Sequence, residues 1–164
     1  MNTRQYYPQK YYLGCFILCA LLLGGAYYLQ YAQGLKPCAL CILQRVAYYT
    51  IALVSLLAVI INPKQMWQKI FAATLGVISL SGLLIAARQA WLQYFVLTDV
   101  GCGPNLNFML QNFPLSQIIK TLFYGAGDCA AVTWRFVGLS MAEWSVLFFC
   151  GFLAVFIYLF FKGR

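Results

Sequence analysis

Histidine is missing from this 164-residue chain, and charged residues make up only 9% of it. Without histidine the chain has no haem-attachment motif of the Cys-x-x-Cys-His type, and it also lacks a flavin or nicotinamide fingerprint. With so few charges and 63% hydrophobic residues, the chain is too apolar for a soluble domain. It is predicted to be a membrane protein.

Four stretches without a charged residue are long enough to cross a bilayer, which takes roughly 20 mostly apolar residues. They predict a single integral membrane domain over residues 1–164, an all-α bundle of four transmembrane helices. A short outer loop would carry a Cys-x-x-Cys pair, and a long outer loop would cover about residues 92–140. The predicted spans are Tyr12–Tyr31, Cys41–Ile61, Ile70–Trp91 and Met141–Phe161.

The long outer loop contains a further uncharged stretch, between Asp99 and Lys120, whose glycine, proline, asparagine and glutamine residues argue against a span. After Pro114 the apolar residues follow the i, i+3, i+4, i+7, i+8 pattern, which predicts an amphipathic helix at the membrane interface. Its apolar face would be Leu115, Ile118, Ile119, Leu122 and Phe123. The loop ends in Ser140-Met141-Ala142-Glu143, a capping-box pattern that predicts the start of the last helix.

The distribution of charge predicts the orientation of the chain. Four spans put both termini on one side, and that side carries six basic residues and no acidic residue, whereas the opposite side carries five basic residues and all three acidic residues. The positive-inside rule therefore predicts cytoplasmic termini, with the cysteine pairs on the opposite, outer side. The net charge of +8 is not concentrated in a dense patch, so no nucleic-acid role is predicted. The six residues are Arg4, Lys10, Lys64, Lys69, Lys162 and Arg164.

Cys38 and Cys41 form a Cys-x-x-Cys pair directly before the second apolar run. Such a pair can close a small disulfide ring or supply two thiolates to a metal. Pro37 suits the first position of a helix, which predicts that the pair lies in the first turn, where free backbone N–H groups stabilise an anion. Arg45 follows Cys41 by four residues and so lies on the same helix face. Cys41 is therefore the better candidate to react as a thiolate.

The seven cysteines fall into two groups. Four are predicted on the outer side, where disulfides persist, and three within spans, where they are expected to act as small apolar side chains. The outer four allow two static bridges, a zinc site of four thiolates, or a redox relay in which two pairs exchange electrons through a mixed disulfide. The outer group is Cys38, Cys41, Cys102 and Cys129, and the buried group is Cys15, Cys19 and Cys150.

A relay needs a final electron acceptor, and a lipid-soluble quinone reached from within the bilayer fits a chain without other cofactor motifs. The loop pair would take electrons from a soluble outer partner, and the Cys-x-x-Cys pair would receive them at the membrane surface. The alternative is a non-enzymatic four-span protein whose outer cysteines only staple the loop or bind metal.

The chain resembles the disulfide bond formation protein B (DsbB) family over nearly its whole length. The shared features are the four spans, a Pro-Cys-x-x-Cys-x-x-x-Arg motif and a second loop with two cysteines. They are carried by Pro37, Cys38, Cys41, Arg45, Cys102, Gly127-Asp128-Cys129, Trp134-x-Phe136-x-Gly138-Leu139 and Met141-x-x-Trp144. Some members carry an acidic residue before the arginine where this chain has Gln44, and Gln93-Tyr94-Phe95 lacks a histidine found in some relatives.

The resemblance implies an inner-membrane enzyme that reoxidises a DsbA-like periplasmic thiol oxidase and passes the electrons to ubiquinone or menaquinone. By the same resemblance Cys102 forms the mixed disulfide with DsbA, Cys129 is its partner, and Cys129 can pair transiently with Cys38. Cys41 then addresses the quinone, and Arg45 holds and polarises it.

Overall fold

The computed structural model describes residues 6–32, 34, 38–63, 65–95, 114 and 135–162. These residues form four α-helices and one short β-hairpin. The helices are α1 (Tyr6–Ala32), α2 (Ala39–Ile61), α3 (Gln65–Phe95) and α4 (Met141–Lys162). All four are long and apolar enough to cross a membrane, so the predicted four-helix membrane bundle is confirmed.

Two helices extend well beyond the predicted spans. α1 begins six residues before Tyr12, and α3 runs from Gln65 to Phe95 where Ile70–Trp91 was predicted. The prediction stopped at charged residues such as Lys10 and Lys69. A helix has no reason to stop there, because its backbone hydrogen bonds continue unbroken into the interfacial region and long basic side chains reach water.

The turn between α2 and α3 ends α2 sharply. Asn62 adopts a left-handed conformation with φ of 45° at the C-cap, and Pro63 follows it. Asparagine tolerates this conformation, and a proline shortly after a C-cap cannot continue the helix. The short connection makes α2 and α3 antiparallel neighbours.

The helices pack in sequence order, α1 on α2, α2 on α3 and α3 on α4, whereas α1 and α4 touch in few places. The packing of α4 on α3 depends on Gly82. A methyl group at Gly82 would lie 2.6 Å from Cζ of Phe149, so only glycine leaves room for that ring. Phe149 is fully buried, and its ring stacks on Tyr48 of α2 with ring centroids 4.4 Å apart. The largest fully buried side chains include Tyr12, Ile51, Leu75, Phe149 and Phe156.

A β-hairpin that the sequence analysis did not predict precedes α4. Its strands are β1 (Arg135–Phe136) and β2 (Leu139–Ser140), paired antiparallel. Val137 and Gly138 form the turn with φ of 53° and 82°, the positive values that two-residue hairpin turns require. Valine is unusual at such a position, so the pattern gave no hairpin signal.

The predicted capping box at the start of α4 is confirmed. The Ser140 backbone N–H donates to Glu143 Oε2 at 2.6 Å, and the Glu143 backbone N–H donates to Ser140 Oγ at 3.4 Å. Glu143 also accepts a hydrogen bond from the hydroxyl of Tyr94, near the end of α3. The hairpin, α3 and α4 are therefore joined at one end of the bundle.

Candidate functional site

Cys38 and Cys41 lie together at the N-terminus of α2. Cys38 is the N-cap residue, with φ of −73° and ψ of 167°, and its sulfur accepts a hydrogen bond from the Cys41 backbone N–H at 3.3 Å. The two sulfur atoms are 2.7 Å apart, with Cys38 Sγ donating to Cys41 Sγ. The prediction that the helix begins at Pro37 is wrong, because its first residue is Ala39. The Cys38 side chain caps the helix, and Cys41 lies within the first turn.

Cys41 Sγ also accepts a hydrogen bond from α3. Gln89 Nε2 donates to it at 3.1 Å, and Gln89 Oε1 accepts from Gln44 Nε2 at 2.8 Å. Both glutamines are buried, with 3% and 5% of their surfaces exposed. Sequence reasoning missed both roles, although a polar side chain inside a predicted span is a signal of a buried contact.

Arg45 is held by groups of α1. Its guanidinium donates to Gln30 Oε1 and to the carbonyl oxygen of Ala26, the latter at 3.3 Å. The guanidinium carbon also lies 5.0 Å from the centroid of the Tyr27 ring, a cation–π distance. These contacts fix the charge beside the first turns of α2, and guanidinium N–H groups remain for another acceptor because an arginine has five.

A cavity of about 360 Å³ contains both Cys41 and Arg45 on its wall. Its walls come from α1, α2 and α4, with Gln89 from α3 and Phe136 from the hairpin. Most of the lining is apolar, and the polar side chains of Gln44, Gln89 and Arg45 lie near Cys41. The lining residues are Leu21, Leu22, Leu23, Gly25, Ala26, Leu29, Gln30, Cys41, Gln44, Arg45, Tyr48, Gln89, Phe136, Met141, Ala142, Trp144, Ser145 and Phe148.

The shape of this cavity follows from the loose contact between α1 and α4. At one end of the bundle Tyr11 and Tyr158 bring the two helices together, with ring centroids 5.9 Å apart. Toward the cysteine end the cavity separates them. At that end Trp144 Nε1 donates to the Phe136 carbonyl oxygen at 3.1 Å, and this hydrogen bond joins the hairpin to α4 beside the cavity.

The remaining predicted residues divide between the core and the part of the chain that is not described. Cys15 and Cys19 are buried in the core as expected, whereas the expectation that Cys150 is buried is wrong, because its side chain is exposed on the face of α4 that packs against no other described helix. Cys102, Cys129 and the predicted amphipathic helix lie outside the described residues. Among the described residues no group of three or more cysteine, aspartate, glutamate or histidine side chains could hold a metal. A site of four thiolates is untested, because two of the four are not described.

Comparison with known proteins identifies the family. A model of the disulfide bond formation protein DsbB family matches residues 8–159. The chain belongs to this family. DsbB relatives include disulfide bond formation protein B of Aromatoleum aromaticum, 42% identical over 147 residues that cover 90% of this chain and 89% of the relative. The protein of the same name in Nitrosococcus oceani is 45% identical over 140 residues, covering 85% and 82%. Disulfide bond formation protein B 1 of Pseudomonas aeruginosa is 35% identical over 147 residues, covering 89% and 90%.

Membership of the DsbB family assigns the chain to disulfide bond formation. The family resemblance seen in the sequence is confirmed, and a multi-pass helical bundle is the architecture that it implied. The sulfur atoms of Cys38 and Cys41 are neighbours at the start of α2.

Proposed function

We propose that this DsbB family member reoxidises a DsbA-like periplasmic thiol oxidase and passes the electrons through two cysteine pairs to a membrane quinone. The observation that carries the proposal is the shared cavity of Cys41 and Arg45. A reactive sulfur, a fixed positive charge and an apolar chamber meet there, inside a bundle that spans the bilayer.

The cavity suits a quinone by size and by polarity. Small-molecule sites usually measure about 300–1,000 Å³ and are mostly apolar with a few placed polar groups. Here Gln44, Gln89 and Arg45 lie near Cys41, which fits a quinone head group, and the leucine-rich wall of α1 fits an isoprenoid tail. The separation of α1 from α4 at this level offers a route from the lipid.

Arg45 and Cys41 have distinct tasks toward a bound quinone. When bound, the quinone supplies an acceptor for two electrons. The N–H groups of Arg45 that are not engaged by α1 donate to a carbonyl oxygen, and the guanidinium charge stabilises negative charge that develops there. Cys41 is the thiolate held against the head group, and the apolar walls exclude water.

The order of thiol exchange follows from the family resemblance. A thiolate of the soluble partner attacks Cys102 and releases Cys129, whose thiolate attacks Cys38 and releases Cys41. In each step one S–S bond forms, one breaks, and the electron pair moves to the departing sulfur. Two electrons thus reach Cys41, next to the cavity.

This function needs the cysteine pairs in the periplasm and the chain in the bacterial inner membrane. The positive-inside rule supports that orientation by a small margin, since six basic residues are predicted on the side of the termini and five on the other side. Lys10, Lys69 and Lys162 lie at one end of the bundle, whereas Cys38, Glu143 and the hairpin with Arg135 lie at the other. The quinone pool and a periplasmic partner are both within reach of a protein placed in this way.

Two cysteine variants test the function. The purified protein in detergent is mixed with a reduced DsbA-like protein and either ubiquinone or menaquinone, and thiol loss and quinone loss are followed together. The unsubstituted protein is expected to turn over catalytically. Cys102→Ser should block oxidation of the soluble partner yet leave the Cys38 and Cys41 pair reoxidisable by quinone, and Cys41→Ser should prevent quinone reduction. Equal loss of that reoxidation in both variants would overturn the order of the relay. Static bridges or stoichiometric zinc without turnover would support the non-enzymatic alternative.

A further inference from the structure

Gln44 and Gln89 are two amide side chains buried deep in a membrane bundle. An amide in apolar surroundings is unfavourable unless it is hydrogen-bonded, so buried polar groups in spans usually have a task. Here the bonds form a chain with a direction. Gln44 donates to Gln89, and Gln89 donates to Cys41 Sγ.

We propose that Gln89 is a catalytic residue that stabilises the Cys41 thiolate, and that Gln44 is a positioning residue that orients the Gln89 amide. The proposal rests on the proposed function, since it assigns a role in the same thiol exchange. It adds a donor from α3 to a site otherwise built by α1 and α2.

The orientation of Gln89 is what Gln44 controls. A carboxamide can present either N–H groups or a carbonyl oxygen to a neighbour, and a thiolate accepts hydrogen bonds but donates none. Because an N–H of Gln44 occupies the Gln89 carbonyl at 2.8 Å, the Gln89 N–H groups face the sulfur. A hydrogen bond to an ionised acceptor is roughly twice as strong as one between neutral groups.

A neutral amide also has a chemical advantage over an acidic donor at this position. It does not release its proton, so it stabilises the thiolate without protonating it. Arg45 is the charged residue among those that line the cavity with Cys41, and Tyr48 is the other titratable one. Cys38 lies at the cap, and the residues that α4 contributes to the lining are uncharged.

The position of this donor directs the exchange reaction. When a thiolate attacks Cys38, the new S–S bond forms at Cys38, the Cys38–Cys41 bond breaks and its electron pair goes to Cys41. The sulfur with the better-stabilised thiolate leaves faster. Since Gln89 contacts Cys41, it favours Cys41 as the leaving group and Cys38 as the point of attack.

The test measures Cys41 alkylation in the reduced full-length protein in detergent. Iodoacetamide is added over a range of pH, and fragment mass spectra distinguish Cys41 from Cys38. Gln89→Leu removes the donor and should move the midpoint of the Cys41 profile upward by about 1 pH unit, which slows the reaction about tenfold at a fixed pH below the midpoint. Gln93→Leu is the matched control, one turn further along α3, and should leave the profile unchanged.

A Gln89→Leu protein that inserts correctly and keeps the original profile would overturn the role of Gln89. If this variant does not insert, Gln89→Met is measured in the same way, since an unbranched side chain fills the site without a donor. The same two outcomes then decide the proposal.

Gln44 is tested through the orientation that it imposes. In Gln44→Glu the carboxylate offers no N–H, so the Gln89 amide turns its own N–H groups toward it and its carbonyl toward Cys41. The midpoint should rise more than in Gln44→Met, which leaves Gln89 without a competing acceptor. The double variant Gln44→Glu, Gln89→Leu separates this effect from added charge. If Gln44→Glu moves the midpoint of the Cys41 alkylation profile equally far in the protein with Gln89 and in Gln89→Leu, the positioning role of Gln44 is overturned.

Alkylation requires neither quinone nor soluble partner, so it separates this inference from the proposed function. An unchanged profile in Gln89→Leu, when the unsubstituted protein reduces quinone, contradicts the role of Gln89 alone. A shifted profile, when the unsubstituted protein reduces no quinone, contradicts the proposed acceptor alone.

Discussion

Arg45 is tied to α1 and also lies on the wall of the cavity. Its contacts with Gln30, Ala26 and Tyr27 join α2 to α1, and the same guanidinium is the charge that the proposed function assigns to quinone binding. A guanidinium placed within a span is costly unless it reaches water, a polar group or an anion, and α1 provides the polar groups. These contacts with α1 hold the Arg45 guanidinium beside the first turns of α2.

Replacement of Arg45 tests the ligand role. Arg45→Met keeps an unbranched chain and removes the charge and the donors, so quinone binding should weaken roughly 10- to 150-fold, as expected for the loss of a hydrogen bond from a charged group. Turnover and Cys41 alkylation at fixed pH should slow as well. The measurements are the KM for quinone and the alkylation rate.

Gln30→Met provides the matched control for Arg45→Met. It removes one contact between α1 and Arg45 but keeps the charge, so its KM should change much less. If Arg45→Met inserts correctly and shows the original quinone kinetics and alkylation rate, Arg45 is only an anchor between helices.

At the scale of the element, the close contact between α3 and α4 depends on one missing side chain. The Phe149 ring occupies the space that a side chain at Gly82 would need. Gly82→Ala should destabilise the bundle by about 1–3 kcal/mol, the usual cost of overpacking a well-packed core. The expected readout is a lower thermal midpoint in detergent.

Gly76→Ala serves as the control on the same helix, because a methyl group there would meet nothing within 4 Å. It should be neutral or slightly stabilising, since alanine favours helix over glycine by about 1 kcal/mol. Combining Gly82→Ala with Phe149→Leu should recover part of the lost stability. If Gly82→Ala and Gly76→Ala behave alike, the contact between α3 and α4 is looser than its geometry implies.

The helices and the Cys38 and Cys41 pair could be predicted from the sequence because their signals are local. Long uncharged runs predict spans, and Ser140 to Glu143 carries its own capping signal. The hydrogen bonds of Gln89 could not be predicted, because its partners Gln44 and Cys41 are more than 40 residues away in the sequence. Only helix packing brings these residues together. The hairpin was missed for a different reason, since Val137 contradicts the usual turn preferences.

At the scale of the whole molecule, the two ends of the bundle differ in charge. The Tyr12 hydroxyl donates to the Gln68 carbonyl oxygen at 3.4 Å, so the starts of α1 and α3 are neighbours. Lys10 of α1 and Lys69 of α3 therefore lie at the same end of the bundle. The opposite end carries Glu143, on the first turn of α4, together with Arg135 of the hairpin. Over the whole sequence six basic residues are predicted on the side of the termini and five on the other side, so the positive-inside rule favours cytoplasmic termini by a small margin.

Reporter fusions test the orientation. Alkaline phosphatase, which is active only in the periplasm, should work when joined after Gly101 and fail when joined after Arg164. A fluorescent protein that matures in the cytoplasm should give the reverse result. Phosphatase activity of the fusion after Arg164 would contradict the predicted orientation, and with it the access of Cys38 to a periplasmic partner.

Because Phe149 stacks on Tyr48, a residue outside the cavity helps to fix the position of a side chain that lines it. Tyr48 lines the cavity, and the Phe149 ring stacks on Tyr48. The absence of a side chain at Gly82 leaves space for the Phe149 ring. Trimming Phe149 would let the phenol ring of Tyr48 recede without altering any side chain on the wall. A substitution at Phe149 could thus enlarge the cavity, although Phe149 does not itself line it.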